Sequence, residues 1–195
     1  PDAPTASQAS IAVCANERDW LVINASPDLR QQIEMNPPLH PADGLRSSPI
    51  AAVLLTNGDV DAVAGLLHLR EGTPFALYAE PRVLDILSGN PIFGVLDTGV
   101  VPRRALRVSE WQPILKADGV PSGLEVRPFP VPGKIPLYLE DGANDASSLK
   151  AGASTIGLEI RGGGSRFFYV ANCAALSDSL VEQIASAPLL FFDGT

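Results

Sequence analysis

The segment Thr56-Asn57-Gly58-Asp59-Val60-Asp61 holds the densest chemistry in the 195-residue chain. Its carboxylates, Asp59 and Asp61, are two residues apart where an apolar strand hands over to a helix. A pair so spaced can converge on one cation, and a hard, oxygen-preferring ion suits it. Free N–H groups and the dipole at a helix start favour negative charge, so both acids are expected to stay ionised. The same residues also fit as ordinary capping acids, and the local pattern leaves that alternative open. Asp193 follows the apolar run 188–192 at a strand end and is the third carboxylate expected nearby.

Other reactive types carry weaker patterns. His68 lies seven residues beyond Asp61, about two turns along the same helix, so it reads as a flank residue and not a neighbouring ligand. His40, between prolines 38 and 41, reads as a solvated loop residue. With two histidines and no nucleophile-elbow context, a Ser–His–Asp arrangement finds no support. Gly162-Gly163-Gly164 reads as a hairpin turn, because a phosphate loop would need a helix after it. Cys14 and Cys173 lie far apart and outside any CxxC pattern, so two reduced thiols in the cytoplasm is the expectation.

These residues need a scaffold, and the hydrophobic pattern supplies one. Residues 10–13 and 20–23 read as strands, and Leu29 and Ile33 fit one face of a short helix capped by Ser26 with Pro27 at its first position. Residues 50–55 are apolar throughout, as in a strand buried on both faces. Val60, Val63, Ala64 and Leu67 then repeat at helical spacing. Further strands are expected over 75–78, 124–131, 155–160, 166–170 and 188–192, with helices over 81–87 and 176–185. Residues 36–49 and the long polar stretch 133–152 read as loops. Strands early and late with helices between and after fit an α/β sandwich better than a doubly wound sheet.

The net charge of −8 and the lack of a basic stripe argue against nucleic acid as partner. The apolar runs are strand-length, and a membrane span needs about 20 such residues. The chain opens on Pro1 without a methionine and stops at Thr195 directly after an apolar strand, so a fragment of a longer protein is expected.

Residues 56–65 resemble the metallo-β-lactamase signature Thr-His-x-His-x-Asp-His-x-x-Gly. Thr56, Asp61 and Gly65 match it, while Asn57, Asp59 and Ala62 stand at the three histidine positions. Within that superfamily the chain resembles the pyrroloquinoline quinone (PQQ) biosynthesis protein B family. The resemblance runs through Asn24-Ala25-Ser26-Pro27-Asp28, residues 54–61, Leu69-Arg70-Glu71-Gly72 and Phe192-Asp193-Gly194-Thr195, in that order. Lys134 stands where the superfamily has the histidine of Pro-Gly-His, and Asn172 where it has a bridging aspartate.

The resemblance implies an αββα sandwich of the α/β class, one domain over 1–195, incomplete at both ends. It implies a role in PQQ biosynthesis, with PQQ or its peptide-derived precursor as partner and room for a homodimer. A two-zinc hydrolase is not expected; one iron or zinc ion, or none, remains. The family's structural zinc belongs to an N-terminal cysteine-rich segment that this chain does not contain. The implied activity is metal-dependent hydroxylation of the tyrosine-derived precursor, and the alternative is a non-catalytic carrier or transport protein. Asp59, Asp61 and Asp193 are the metal candidates, and Asp61 and Lys134 the catalytic ones.

Overall fold

The computed structural model describes residues 7–42, 44, 47–133 and 155–193. Lys134 and most of the loop expected over 133–152 lie outside the described residues.

Two five-stranded sheets face each other. The first runs β1 (Ile11–Val13), β2 (Trp20–Ile23), β3 (Ile50–Leu54), β4 (Ala76–Ala79), β5 (Arg103–Ala105). Its β1–β2 pair is antiparallel and the remaining pairs are parallel. The second lies in the order β10 (Leu190–Phe192), β9 (Ser165–Val170), β8 (Ile156–Gly162), β7 (Pro121–Pro130), β6 (Gln112–Leu115). Here the pairs are antiparallel except β9–β10, which is parallel.

Period-two alternation explains why β3 is apolar throughout. Ala52 and Leu54 point between the sheets, beside Leu21, Ile23, Val126, Leu158, Ile160 and Tyr169. Val53 and Leu55 point the other way, onto Leu29, Val63, Leu66, Val83 and Leu87. That outer face is covered by α1 (Leu29–Met35), α2 (Val60–Val63), the 3-10 turn Ala64–Leu69 and α3 (Pro81–Gly89). The outer face of the second sheet packs Phe129, Phe168 and Val170 against Leu180 of α4 (Asp178–Ile184). The result is the expected αββα sandwich. Each fully buried Leu or Ile contributes about 1.5–3 kcal/mol, so β3 anchors two cores at once.

Several local expectations change. Ser26 does not cap α1: the N-cap position is Asp28, without a side-chain bond, and the Ser26 hydroxyl donates to Gln32 Oε1 instead. The helix expected from Val60 is a single α-turn that continues as the 3-10 turn Ala64–Leu69. α4 starts at Asp178, where the Ser177 hydroxyl accepts from the Leu180 N–H. Strands β5 and β6 escape the sequence reading. In β5 the half-buried Arg104 disguises the strand, because its guanidinium donates to the Tyr78 hydroxyl and the Leu115 carbonyl at 2.8 and 2.7 Å. No helix among the described residues is long and apolar enough to cross a membrane. Cys14 and Cys173 are both free thiols, as expected.

Candidate ligand cleft at the sheet ends

The ends of β2, β3 and β9 meet at one end of the sandwich, and a single buried asparagine joins them. Asn24 leaves β2 in the left-handed region, at φ 60°, and is 2% exposed. Its Oδ1 accepts from the Thr56 N–H at 2.9 Å, and its Nδ2 donates to Thr56 Oγ1 at 2.9 Å and Tyr169 Oη at 3.3 Å. Thr56 also passes its carbonyl to the Ile156 N–H at 2.8 Å, which ties β3 to the start of β8. Burial pushes the Tyr169 phenol up to about 12, with the nearby Asp193 charge adding and the Asn24 bond opposing. It is a neutral phenol at physiological pH.

Beyond Thr56 the chain turns into α2. Buried Asn57 accepts the Asp59 N–H at 2.9 Å, an Asx turn that fixes the path into the helix. The helix then presses on the backbone after β2: Ala25 N–H donates to Ala62 O, and Gly65 N–H donates to Ala25 O, each at 2.8 Å. A Cβ on Gly65 would lie 2.1 Å from the Ser26 carbonyl oxygen, so this approach needs glycine.

Asp59 occupies the N-cap position of α2, yet its carboxylate makes no cap bond. It accepts instead from Asn172 Nδ2 at 2.8 Å, across to the end of β9. The capping alternative therefore fails for Asp59. Burial also raises its carboxyl above the ordinary value of 3.8; the Asn172 bond opposes this and the Asp61 charge adds to it. Asp61 sits in the first turn, exposed, and accepts from Gln8 Nε2 at 3.3 Å. Asp193 leaves β10 with its N–H on the Val170 carbonyl, and it is exposed.

These groups border a cleft of about 350 Å³, lined by residues 7–9 and by Asn24, Asn57, Asp61, Ala62, Ala171, Asn172 and Asp193. Asp61 and Asp193 thus line one cleft, and Asp59 adjoins it through its bond to Asn172. Gln8, Asn24 and Tyr169 are not among the site candidates read from the sequence, although Asn24 opens one of the blocks that carry the family resemblance. Asn24 has a signal in retrospect, a polar residue directly after an apolar strand, whereas Gln8 lies in a stretch with no pattern.

The donor chemistry tests whether these residues suit an iron or zinc centre. The cleft offers carboxylate and amide oxygens, while His40 and His68 are exposed residues that do not line it. Cys173 turns into the core under α4 and donates to the Ala175 carbonyl. Among the described residues no three His, Cys, Asp or Glu side chains group as a metal would require. Zinc and non-haem iron favour imidazole or thiolate alongside carboxylate, so the described residues do not fit either centre by themselves.

The beta-lactamase superfamily domain matches residues 19–195. The Coenzyme PQQ synthesis protein B of Gluconacetobacter diazotrophicus is 49% identical over 195 residues, covering 100% of this chain and 63% of that protein. The crystal structure of Zn(2+)-bound PqqB from Methylobacterium extorquens superposes with a TM-score of 0.86 at 49% identity, covering 97% of this chain and 60% of that one. The metallo-β-lactamase fold protein YhfI from Bacillus subtilis shares the fold at a TM-score of 0.64 and 11% identity, over 96% of this chain and 64% of its own. The chain thus spans somewhat less than two thirds of the length of these relatives. The resemblance read from the sequence holds, and the chain belongs to the beta-lactamase superfamily domain family, with the PQQ synthesis proteins B among its relatives.

Proposed function

We propose that this chain acts in PQQ biosynthesis and receives the tyrosine-derived precursor in the cleft at Asp61. The 49% identity to PQQ synthesis protein B supports the pathway. The observation that carries the ligand is the cleft's lining: Asp61 and Asp193 border it, Asp59 adjoins them, and no Lys, Arg or His is among the described lining residues. Such a surface favours a ligand that brings N–H and O–H donors, as an amine and a phenol do. It disfavours the carboxylates of the finished quinone.

Two finer readings divide here. Hydroxylation of the precursor at a single metal, the activity implied by the resemblance, would use Asp59, Asp61 and Asp193 as oxygen ligands and needs further ligands from beyond the described residues. A carrier needs none. Among the described residues the oxygen-only donor set supports the binding reading. Lys134, the other catalytic candidate, lies outside the described residues.

Calorimetric titration of the precursor and of PQQ tests the proposal. Precursor affinity should fall roughly tenfold or more in Asp61→Ala, the loss that a charge-assisted hydrogen bond carries. Equal affinity in wild type and variant contradicts the site. Oxygen-dependent turnover of the precursor by the purified chain would restore the hydroxylation reading.

A further inference from the structure

The segment Ser7-Gln8-Ala9 lies along the cleft and lines it, although no strand or helix includes it. Gln32 on α1 holds it: Nε2 donates to Ser7 Oγ at 3.0 Å and to the Gln8 carbonyl at 2.9 Å. Ser26 fixes the other end of that amide by donating to Gln32 Oε1 at 3.0 Å. The Gln8 N–H donates to Asp28 Oδ2 at 3.0 Å. Gln8 Nε2 then reaches Asp61 Oδ1 at 3.3 Å, a long contact between a neutral donor and a carboxylate. Ser7 and Gln8 are exposed, so polar contacts hold this segment and buried apolar area does not. Beneath it Ala62 and Ala171, both lining the cleft, are each 2% exposed.

We infer that residues 7–9 form a displaceable strap across the cleft. In the closed arrangement the Gln8 amide occupies the Asp61 acceptor, and Gln32 is the positioning residue that keeps the strap down. A ligand carrying a stronger donor, an ammonium above all, replaces the Gln8 amide on Asp61 and lifts the strap. Exposed hydrogen bonds contribute modestly, so the closed arrangement is readily reversible. This rests on the reading of the cleft as the ligand site.

The experiment reads access alone. In a Cys14→Ser chain carrying Ala62→Cys, the reaction rate with the neutral methyl methanethiosulfonate is measured, and the Cys173 background is taken from the same chain without Ala62→Cys. Gln8→Ala and Gln32→Glu should each raise the rate roughly two- to tenfold, the factor one lost hydrogen bond carries. Gln32→Glu keeps the acceptor for Ser26 and removes the donor to the strap, so α1 keeps its anchor, and a neutral reagent is not drawn by the added charge. Ala171→Cys serves as a second reporter should Ala62→Cys unfold, and hydrogen exchange at the Gln8 amide should rise in the same variants. Unchanged rates, or no labelling in any variant, overturn the strap while leaving the cleft in place. Equal ligand affinity in wild type and Asp61→Ala, with raised rates in Gln8→Ala and Gln32→Glu, would overturn the cleft as the ligand site and leave the strap in place.

Discussion

Asn172 donates to Asp59 across 113 positions of sequence, at 2.8 Å, and so joins the turn after β3 to the end of β9. Asn172 reaches this geometry from the left-handed region, at φ 54°, which asparagine tolerates better than most residues. The bond stabilises the charged form of Asp59, but the burial that comes with it costs more, and the carboxyl ends above its ordinary value.

That balance sets a pH dependence. A carboxyl raised by folding contributes stability that is full below the ordinary value of 3.8 and is lost as pH rises through the raised one. Asp59→Asn removes the buried charge and keeps an acceptor for Asn172. It should therefore stabilise the chain at neutral pH, by less than about 1 kcal/mol because the site is half-buried and screened. The gain should vanish near pH 3. Denaturant midpoints at the two pH values check this, and a variant less stable at pH 7 than wild type contradicts it.

Gly65→Ala should be costly. Its methyl would sit 2.1 Å from the Ser26 carbonyl, so either α2 or the chain after β2 must move. A loss of about 1–3 kcal/mol is expected from such overpacking, together with a weaker Asp61 site. Thermal unfolding measures the first, and an unchanged midpoint would show that the close approach is wrong.

Asn24→Ala strips hydrogen bonds from the Thr56 N–H, the Thr56 hydroxyl and the Tyr169 hydroxyl in one step. Leaving buried polar groups unpaired costs about 1–3 kcal/mol each, so a loss of at least about 2 kcal/mol is expected. Asn24→Gly suits φ 60° but also lacks the amide, so it should recover little of that loss. Recovery of wild-type stability in the glycine variant would assign the role of Asn24 to its backbone instead.

The pattern of residues 50–55 revealed β3 because each face of that strand meets a core, leaving no polar position to confuse the period. β5 offered no such pattern, since Arg103 and Arg104 occupy most of it and Arg104 is accommodated by hydrogen bonds that only the assembled sheets provide. The site divides in the same way. Asp61 is legible from its spacing in a strand–turn–helix, and Asp193 from its place at a strand end. The bonds that build the cleft around them come from residues distant in sequence, with Gln8 53 positions from Asp61 and Tyr169 145 from Asn24. Local periodicity carries no trace of such pairs. The capping role considered for Asp59 is a local rule that lost to one of them.

A cleft that binds its ligand through oxygens and amides, with no iron or zinc centre among the described residues, should take up neither metal. Elemental analysis of the purified chain, equilibrated anaerobically with iron and separately with zinc and then desalted, tests this most directly. Well under one metal per chain, unchanged in Asp59→Ala and Asp61→Ala, is the predicted result. About one iron or zinc per chain, lost in either variant, would overturn this and make these carboxylates ligands of a metal centre.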